Sequence, residues 1–372
     1  MSRPSLVTAE HDALGLEARA AFVQLEPGAP MDDQTLVCKV AGLGYYPYLV
    51  PAQYGGKHPK VDVRSLCVIR EELAYRNAAA DSVFAVQGLG SHPVLLAGTD
   101  AQKAQLLPKV ADGSALFAFA LTEPDAGSDV AAISTTARRD GEGWVIDGRK
   151  RFISNAGVAT HYTVFARTGE GPRGLSAFLV PAKAPGFSFT KMELMGEHPI
   201  GELAFVSCRV GPEARIGADG AGMKLALSTL DVFRCTVGSA AVGMARRALD
   251  EALGYAKSRK QFGAPLADLP AVQALLADCA VELEASRLLV HLAAATKDSG
   301  QERVTYEAAV GKLFATEAAQ RIIDRCLQIH GGNGVVKGVP VERLYRDIRA
   351  LRIYEGASDV QRVVIARHLL QA

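Results

Sequence analysis

The chain has 372 residues, and at roughly 150 residues per domain it should hold two or three domains. Hydrophobic residues make up 49% and charged residues 22%, enough apolar material for several cores, which excludes disorder and a disulfide-stapled miniprotein. Lys plus Arg number 41 against 40 Asp plus Glu, and a net charge of +1 leaves no basic surplus for a phosphate backbone, so nucleic acid is not an expected partner.

Residues 1–114 read as helical. In DAQKAQLLPKV, Asp100 is placed to cap a helix start and Pro108 to end the helix. From 115 to 222 the pattern changes to period two with turn punctuation. GWVIDGRKRFIS reads as two short β-prone runs joined by Asp147-Gly148, a hairpin signal. YTVFAR, LSAFLVPA, FSFTKMEL and LAFVSCRV follow as further strands, separated by Pro181, Pro185 and Gly186. From 223 to 372 helices return, long and rich in Ala and Leu. One of them opens at Pro270, another ends at His330-Gly331-Gly332, and the last starts near Ser358. Four amphipathic helices of this length predict an antiparallel bundle. The fold class is mainly α with a β middle domain.

No apolar run approaches the ~18 residues needed to cross a bilayer, so no membrane association is expected. The start, MSRPSLVTAEHDALGLEA, has early acids and no basic flank before an apolar stretch, which argues against a presequence. Six scattered cysteines without a CxxC pair read as free thiols in a reducing cytoplasm. The histidines form no HExxH, and no metal site is expected.

Several clusters have both a plain and a chemical reading. In FALTEPDAGSD, Thr122 and Gly127-Ser128 read first as an ST-turn leaving a strand, with a phosphate-cradling turn as the alternative. Along KRFISN, strand alternation puts Phe152 and Ser154 on one face, an aromatic beside a hydroxyl, suited to a planar heterocycle or simply to a core. Asp231 and Arg234 share a helix face as an intrahelical ion pair. Arg259 in RKQFG could meet a phosphate. Gln328 precedes HGGNG, which lacks the spacing and the leading strand of a dinucleotide fingerprint. Glu355 stands between an apolar segment and Gly356, ahead of a helix capped by Ser358. There it is either a solvated loop carboxylate or, in an apolar cleft, a general base with a raised pKa.

LTEPDAGSD, RKRFISN, SRKQFG, QIHGGNG and IYEGASDVQR, in that order over essentially the whole chain, resemble the acyl-CoA dehydrogenase family of FAD flavoproteins. The resemblance implies an N-terminal α domain, a β-barrel-like middle domain and a C-terminal four-helix bundle, in a homotetramer or dimer of dimers. It implies FAD bordered by Phe119, Leu121, Thr122 and Ser128, with Phe152 on the isoalloxazine and Ser154 near N5. Arg259, Gln261, Phe262, Gln328, Gly331 and Gly332 would hold the adenine side across a subunit interface. Ser128, Asp231, Arg234 and Gly356 fall where the family contacts the acyl-CoA thioester. Glu355 matches the catalytic glutamate, whereas Phe233 occupies the position of the base in relatives that carry it on the long helix. Pro270 replaces a common Gln. Ala357 replaces a common Thr and Asp359 a common Glu or Gln, both at cofactor positions. The implied reaction is α,β-dehydrogenation of an acyl-CoA, with an electron-transfer flavoprotein as acceptor. Same-fold alternatives are an oxidase, an enzyme of carrier-protein thioesters, or a non-catalytic relative that keeps FAD as scaffold.

Overall fold

The computed structural model describes residues 6–26 and 31–371; residues 1–5, part of the start read above for a presequence, lie outside this range. Helices come first: α1 (Ala9–Ala21), α2 (Asp33–Gly42), α3 (Val63–Arg76), α4 (Ala78–Ala97) and α5 (Asp100–Ala111). The cap of α5 is Thr99, not Asp100. Its hydroxyl accepts from Gln102 N at 3.1 Å while Gln102 Oε1 accepts from Thr99 N at 2.8 Å, a reciprocal box that satisfies two orphan donors. Pro108 lies inside α5 and does not end it. Only one intrahelical bond is lost there, close to an end that frays anyway.

The strands are β1 (Phe117–Ala120), β2 (Thr136–Asp140), β3 (Gly143–Ser154), β4 (His161–Arg167), β5 (Leu175–Pro181), β6 (Phe187–Lys191), β7 (Ile200–Val210) and β8 (Arg215–Ile216). They form one sheet in the order β6-β7-β3-β2-β4-β5-β8, with β1 parallel to β4. The expected hairpin at Asp147-Gly148 is absent: β3 runs straight through, with a register shift between Ile146 and Gly148 against β7. Glycine is needed at 148 for a bulge rather than a turn, because a Cβ there would lie 2.5 Å from Thr135 Oγ1. The turn falls earlier, between Asp140 and Gly143. Alternate residues of the sheet face a core of Trp144, Ile146, Tyr162, Val164, Phe178, Leu203 and Phe205.

Next come α6 (Gly222–Ser258), the hairpin β9 (Lys260–Gln261) and β10 (Ala264–Pro265), α7 (Pro270–Asp298), α8 (Thr305–His330), α9 (Pro340–Leu351) and α10 (Ser358–Gln371). Contrary to the sequence reading, one helix among the described residues is long and apolar enough to cross a membrane by length and composition. It is α6, whose apolar stretch is 89% buried inside the protein. Helix α10 begins at Ser358 itself, whose hydroxyl is turned away from a capping role to donate to Glu317 Oε1 at 2.5 Å.

The chain divides into two compact units. One comprises residues 1–28, 63–81 and 231–372, and the other 29–62 and 82–230. In the first, α1 packs on α3, and α8 packs against α7, α9 and α10. The second is built on the sheet.

Candidate functional site

In the sheet unit, the segment after β1 is held from inside. Lys150 and Glu123 are buried and paired at 2.8 Å, and Lys150 Nζ also donates to Leu121 O at 3.0 Å. Glu123 further accepts from Ser134 N at 2.6 Å and Thr135 N at 3.0 Å. Burial alone would raise the Glu123 carboxyl, but the Lys150 ammonium and these donors outweigh it and hold it at about 2. Burial pulls Lys150 down to about 8 against the pull of Glu123, so both groups are charged at neutral pH. Arg151 N donates to Thr122 O at 2.9 Å, which joins the Thr122 segment to β3. Phe119 packs on Phe165 at 4.9 Å between ring centroids, Leu121 is buried, and Ser128 is exposed.

Strand alternation fails at the next step of β3. Phe152 has φ +58°, inside a register shift between Lys150 and Ile153. Its ring is 51% exposed rather than packed in the core. An aromatic held in a disfavoured backbone conformation with its surface in the open is a strained presentation of a flat face. Ser154, two residues on, has its hydroxyl 3.0 Å from His198 Nε2. Burial pushes His198 down to about 4, so its ring is neutral at pH 7. Nothing in the sequence pattern singled out His198.

In the helical unit, Glu355 occupies the turn between α9 and α10 at φ +52°, followed by Gly356 at +94°. The φ of +94° at position 356 is what favours glycine there. Three donors from two helices and the start of α10 hold the turn. Arg234 Nε donates to Glu355 O at 3.1 Å; Lys312 Nζ and Gln361 Nε2 both donate to Gly356 O at 2.9 Å. Glu355 is half-buried, and its Oε2 is shut off from solvent with no hydrogen-bond partner among the described residues. Burial raises the carboxyl above its usual range, against the opposing pull of Arg70, Lys312 and Arg234. Arg70 itself is forked onto Asp81 at 2.8 and 2.7 Å and reaches Thr236 Oγ1 at 2.8 Å. The expected Asp231–Arg234 pair is present at 3.5 Å, with Thr305 Oγ1 donating to Asp231 at 2.7 Å, and both residues of the pair are buried. Asp359 is exposed and paired with Arg362 at 3.0 Å.

The far end of α6 gathers the remaining expected residues. Arg259-Lys260-Gln261-Phe262-Gly263 is the β9–β10 hairpin, with Phe262 at φ +53° and Gly263 at +84°. The helix ends at Ser258. Tyr255 stacks on His330 at 4.5 Å and accepts from Asn333 Nδ2 at 3.0 Å, which ties this hairpin to the Gln328–Gly332 turn. Gln328, Gly331 and Gly332 are exposed, and a Cβ on either glycine would meet nothing within 4 Å. Arg234 and Tyr255 are 21 residues apart on α6, so at 1.5 Å per residue ~32 Å separates this end from the Glu355 turn. Within one chain these two groups of residues are not brought together.

Three family models match the chain in order: the acyl-CoA dehydrogenase N-terminal domain over residues 16–114, the middle domain over 118–208 and the C-terminal domain over 220–370. The chain belongs to the acyl-CoA dehydrogenase family. It is 41% identical to the human mitochondrial short-chain specific acyl-CoA dehydrogenase, over 90% of this chain and 82% of that protein. Butyryl-CoA dehydrogenase from Megasphaera elsdenii superposes with a TM-score of 0.93 at 33% identity, covering 98% of this chain and 99% of the other. A chain from work on the electron transferring flavoprotein of Acidaminococcus fermentans also gives 0.93, at 34% identity and the same coverage.

As a member of this family the protein is an oxidoreductase and a flavoprotein. Sequence reasoning missed Lys150, Arg70, Lys312 and Gln361 as members of its polar framework. Lys150 and Gln361 lie inside quoted motifs, and a signal existed for them: a charged or amide side chain in an otherwise half-buried stretch needs a partner. Arg70 and Lys312 lie on helices read only for their apolar period. Among the described residues no group of three or more His, Cys, Asp or Glu is arranged to hold a metal.

Proposed function

We propose that this acyl-CoA dehydrogenase removes the α proton of an acyl-CoA thioester with Glu355 and forms the 2-enoyl-CoA. The observation that carries the reading is the shut-off, unpartnered Oε2 of Glu355 on a left-handed turn held from three sides. A half-buried carboxyl with one oxygen shut off from solvent and a raised pKa is matched to taking a proton near neutral pH. The α proton becomes acidic only when the thioester oxygen is polarised, and the Glu355 N–H is the donor of this chain assigned to that oxygen. Ser128, Asp231, Arg234 and Gly356 are the proposed thioester contacts. For Arg234 the contact is indirect, since its guanidinium is engaged with Glu355 O and Asp231.

FAD is the proposed flavin. When bound it supplies the acceptor for the β hydride. The exposed, strained Phe152 ring suits an isoalloxazine face, with Ser154 two residues along β3 and Phe119, Leu121 and Thr122 on the neighbouring segment. The open backbone at Gly331 and Gly332, with Arg259, Gln261 and Gln328, suits a phosphate and adenosine end. Ala357 and Asp359 offer a methyl group and an exposed carboxylate where the resemblance implies further cofactor contacts. The ~32 Å between the two groups along α6 favours an assembly in which one cofactor uses residues of two copies, and Phe262, 94% exposed, is a natural contact in a homotetramer. An electron-transfer flavoprotein is the proposed acceptor, and six free thiols suit the cytoplasm or another reducing compartment.

Anaerobic titration of the yellow protein with a panel of acyl-CoA thioesters tests this reading. Loss of flavin absorbance with at least one thioester is expected. Persistence of the oxidised spectrum with every thioester would sink it, and faster reoxidation by oxygen than by an electron-transfer flavoprotein would make the protein an oxidase.

A further inference from the structure

Four cations lie around the Glu355 turn, and they differ in how they are compensated. The Arg70 fork on α3 is matched by both oxygens of Asp81 at the start of α4. Arg234 on α6 reaches Asp231 at 3.5 Å. Just past the end of α9, Arg352 pairs with Glu317 of α8 at 2.8 Å. Lys312, on the same helix as Glu317, is fully buried; among the described residues no carboxylate stands within ion-pair distance of it, and its ammonium rests on the carbonyl of Gly356. Burying an ammonium without a counter-ion is costly, so a site that retains one is using its charge or its donors.

We propose that Lys312 is a positioning residue for Glu355, fixing the left-handed Glu355–Gly356 turn through the Gly356 carbonyl and supplying the positive charge that keeps the carboxyl ionisable. Its catalytic meaning rests on Glu355 being the base. Two amide and ammonium donors converge on one carbonyl, and the two separate roles can therefore be taken apart. Gln361 contributes the hydrogen bond without the charge, and Lys312 contributes both. Burial lowers Lys312 itself to about 8, so it is mostly protonated at neutral pH and loses its charge in mild alkali. The other groups that act on Glu355 are Arg70 and Arg234, which favour its ionised form, and Asp81, which opposes it. The Tyr354 phenol is pushed up by burial and stays neutral.

The test is the pH dependence of flavin reduction by an acyl-CoA in Lys312→Gln, Lys312→Met, Lys312→Arg and Gln361→Leu holoenzymes. Removing a nearby positive charge makes a carboxyl hold its proton to higher pH. The acid limb of the two neutral variants should therefore move up by about one pH unit, a roughly tenfold loss below the limb that closes at higher pH. Lys312→Arg should keep the limb in place, and Gln361→Leu should lower the plateau without moving it. Either neutral variant that folds carries the test.

A limb that stays put in the neutral variants overturns the proposal, as does an equal displacement in Gln361→Leu. Infrared titration of the Glu355 carboxyl band in the substrate-free holoenzyme, assigned by its loss in Glu355→Gln, reads the same displacement without turnover. Normal turnover by Glu355→Gln would remove the base reading while leaving the band displacement to judge Lys312 alone.

Discussion

Arg234 Nε donates to the backbone carbonyl of Glu355 at 3.1 Å, 121 residues away in the chain, so a buried guanidinium on α6 anchors the turn that carries the proposed base. The turn has positive φ at two successive positions and would relax without such ties. Arg234→Ala removes that donor and also leaves Asp231 buried with Thr305 alone. The expected cost is about 2 kcal/mol in stability, with flavin reduction slowed about 10²-fold through misplacement of the carboxyl. Thermal melts and stopped-flow reduction check this, and wild-type rates in a folded variant would show that the turn holds itself.

Glu355→Gln should keep the fold and the flavin and lose about 10³-fold in turnover. Its stability has a separate signature. A carboxyl whose folded pKa is raised favours the folded state fully below its unfolded pKa, and that contribution is lost as pH rises through the folded value. Glutamine mimics the protonated form at every pH. The variant should therefore melt above the parent at neutral and alkaline pH, and the two should converge in acid. A variant that melts below the parent at pH 8 would mean that the carboxylate is not destabilised by its burial.

The Glu123–Lys150 pair acts in the opposite direction. Glu123 is held at about 2 against an ordinary 4.5, so its contribution is full above 4.5 and drains away as pH falls toward 2. Lys150→Met strands a buried carboxylate, which costs about 3 kcal/mol or more. Adding Glu123→Gln should recover part of that loss, because the stranded charge goes with it. If the double variant is no more stable than Lys150→Met alone, the loss came from packing and from the Leu121 carbonyl rather than from an unpaired charge.

The helix–sheet–helix order was legible because helical and strand periods differ and because the turn residues sit at the changes. What failed was local. Asp147-Gly148 carries the chemistry of a hairpin turn, but pairing of β3 with β7 on both sides of it absorbs the glycine as a bulge. Phe152 was placed beside Ser154 by strand alternation, yet it reaches the open by a backbone φ of +58° that no sequence period reports. Glu355 was legible as a carboxylate next to a glycine. The convergence of donors on the turn was not, because Arg234 and Lys312 reach its carbonyls from 121 and 44 residues away. A contact of that range leaves no periodic trace in a single chain.

The β9–β10 hairpin offers the cleanest test of assembly. Phe262 is 94% exposed and sits at φ +53°, where an aromatic gains nothing from its own chain. Beside it Arg259 has an N–H tied to Tyr255 O at 2.8 Å, so the hairpin is docked on the end of α6 even though its tip is bare. Phe262→Gly relieves the backbone and removes the ring, and it should leave the monomer fold intact. If a second copy covers the ring, light scattering should report a smaller particle than the parent, and flavin should be lost on dialysis. Arg259→Ala should lose flavin with the particle size unchanged, since a phosphate contact worth about 2 kcal/mol disappears without the apolar one. Retention of both flavin and size in Phe262→Gly would leave the ring with no role in assembly, and the two groups of residues ~32 Å apart on α6 would need separate ligands.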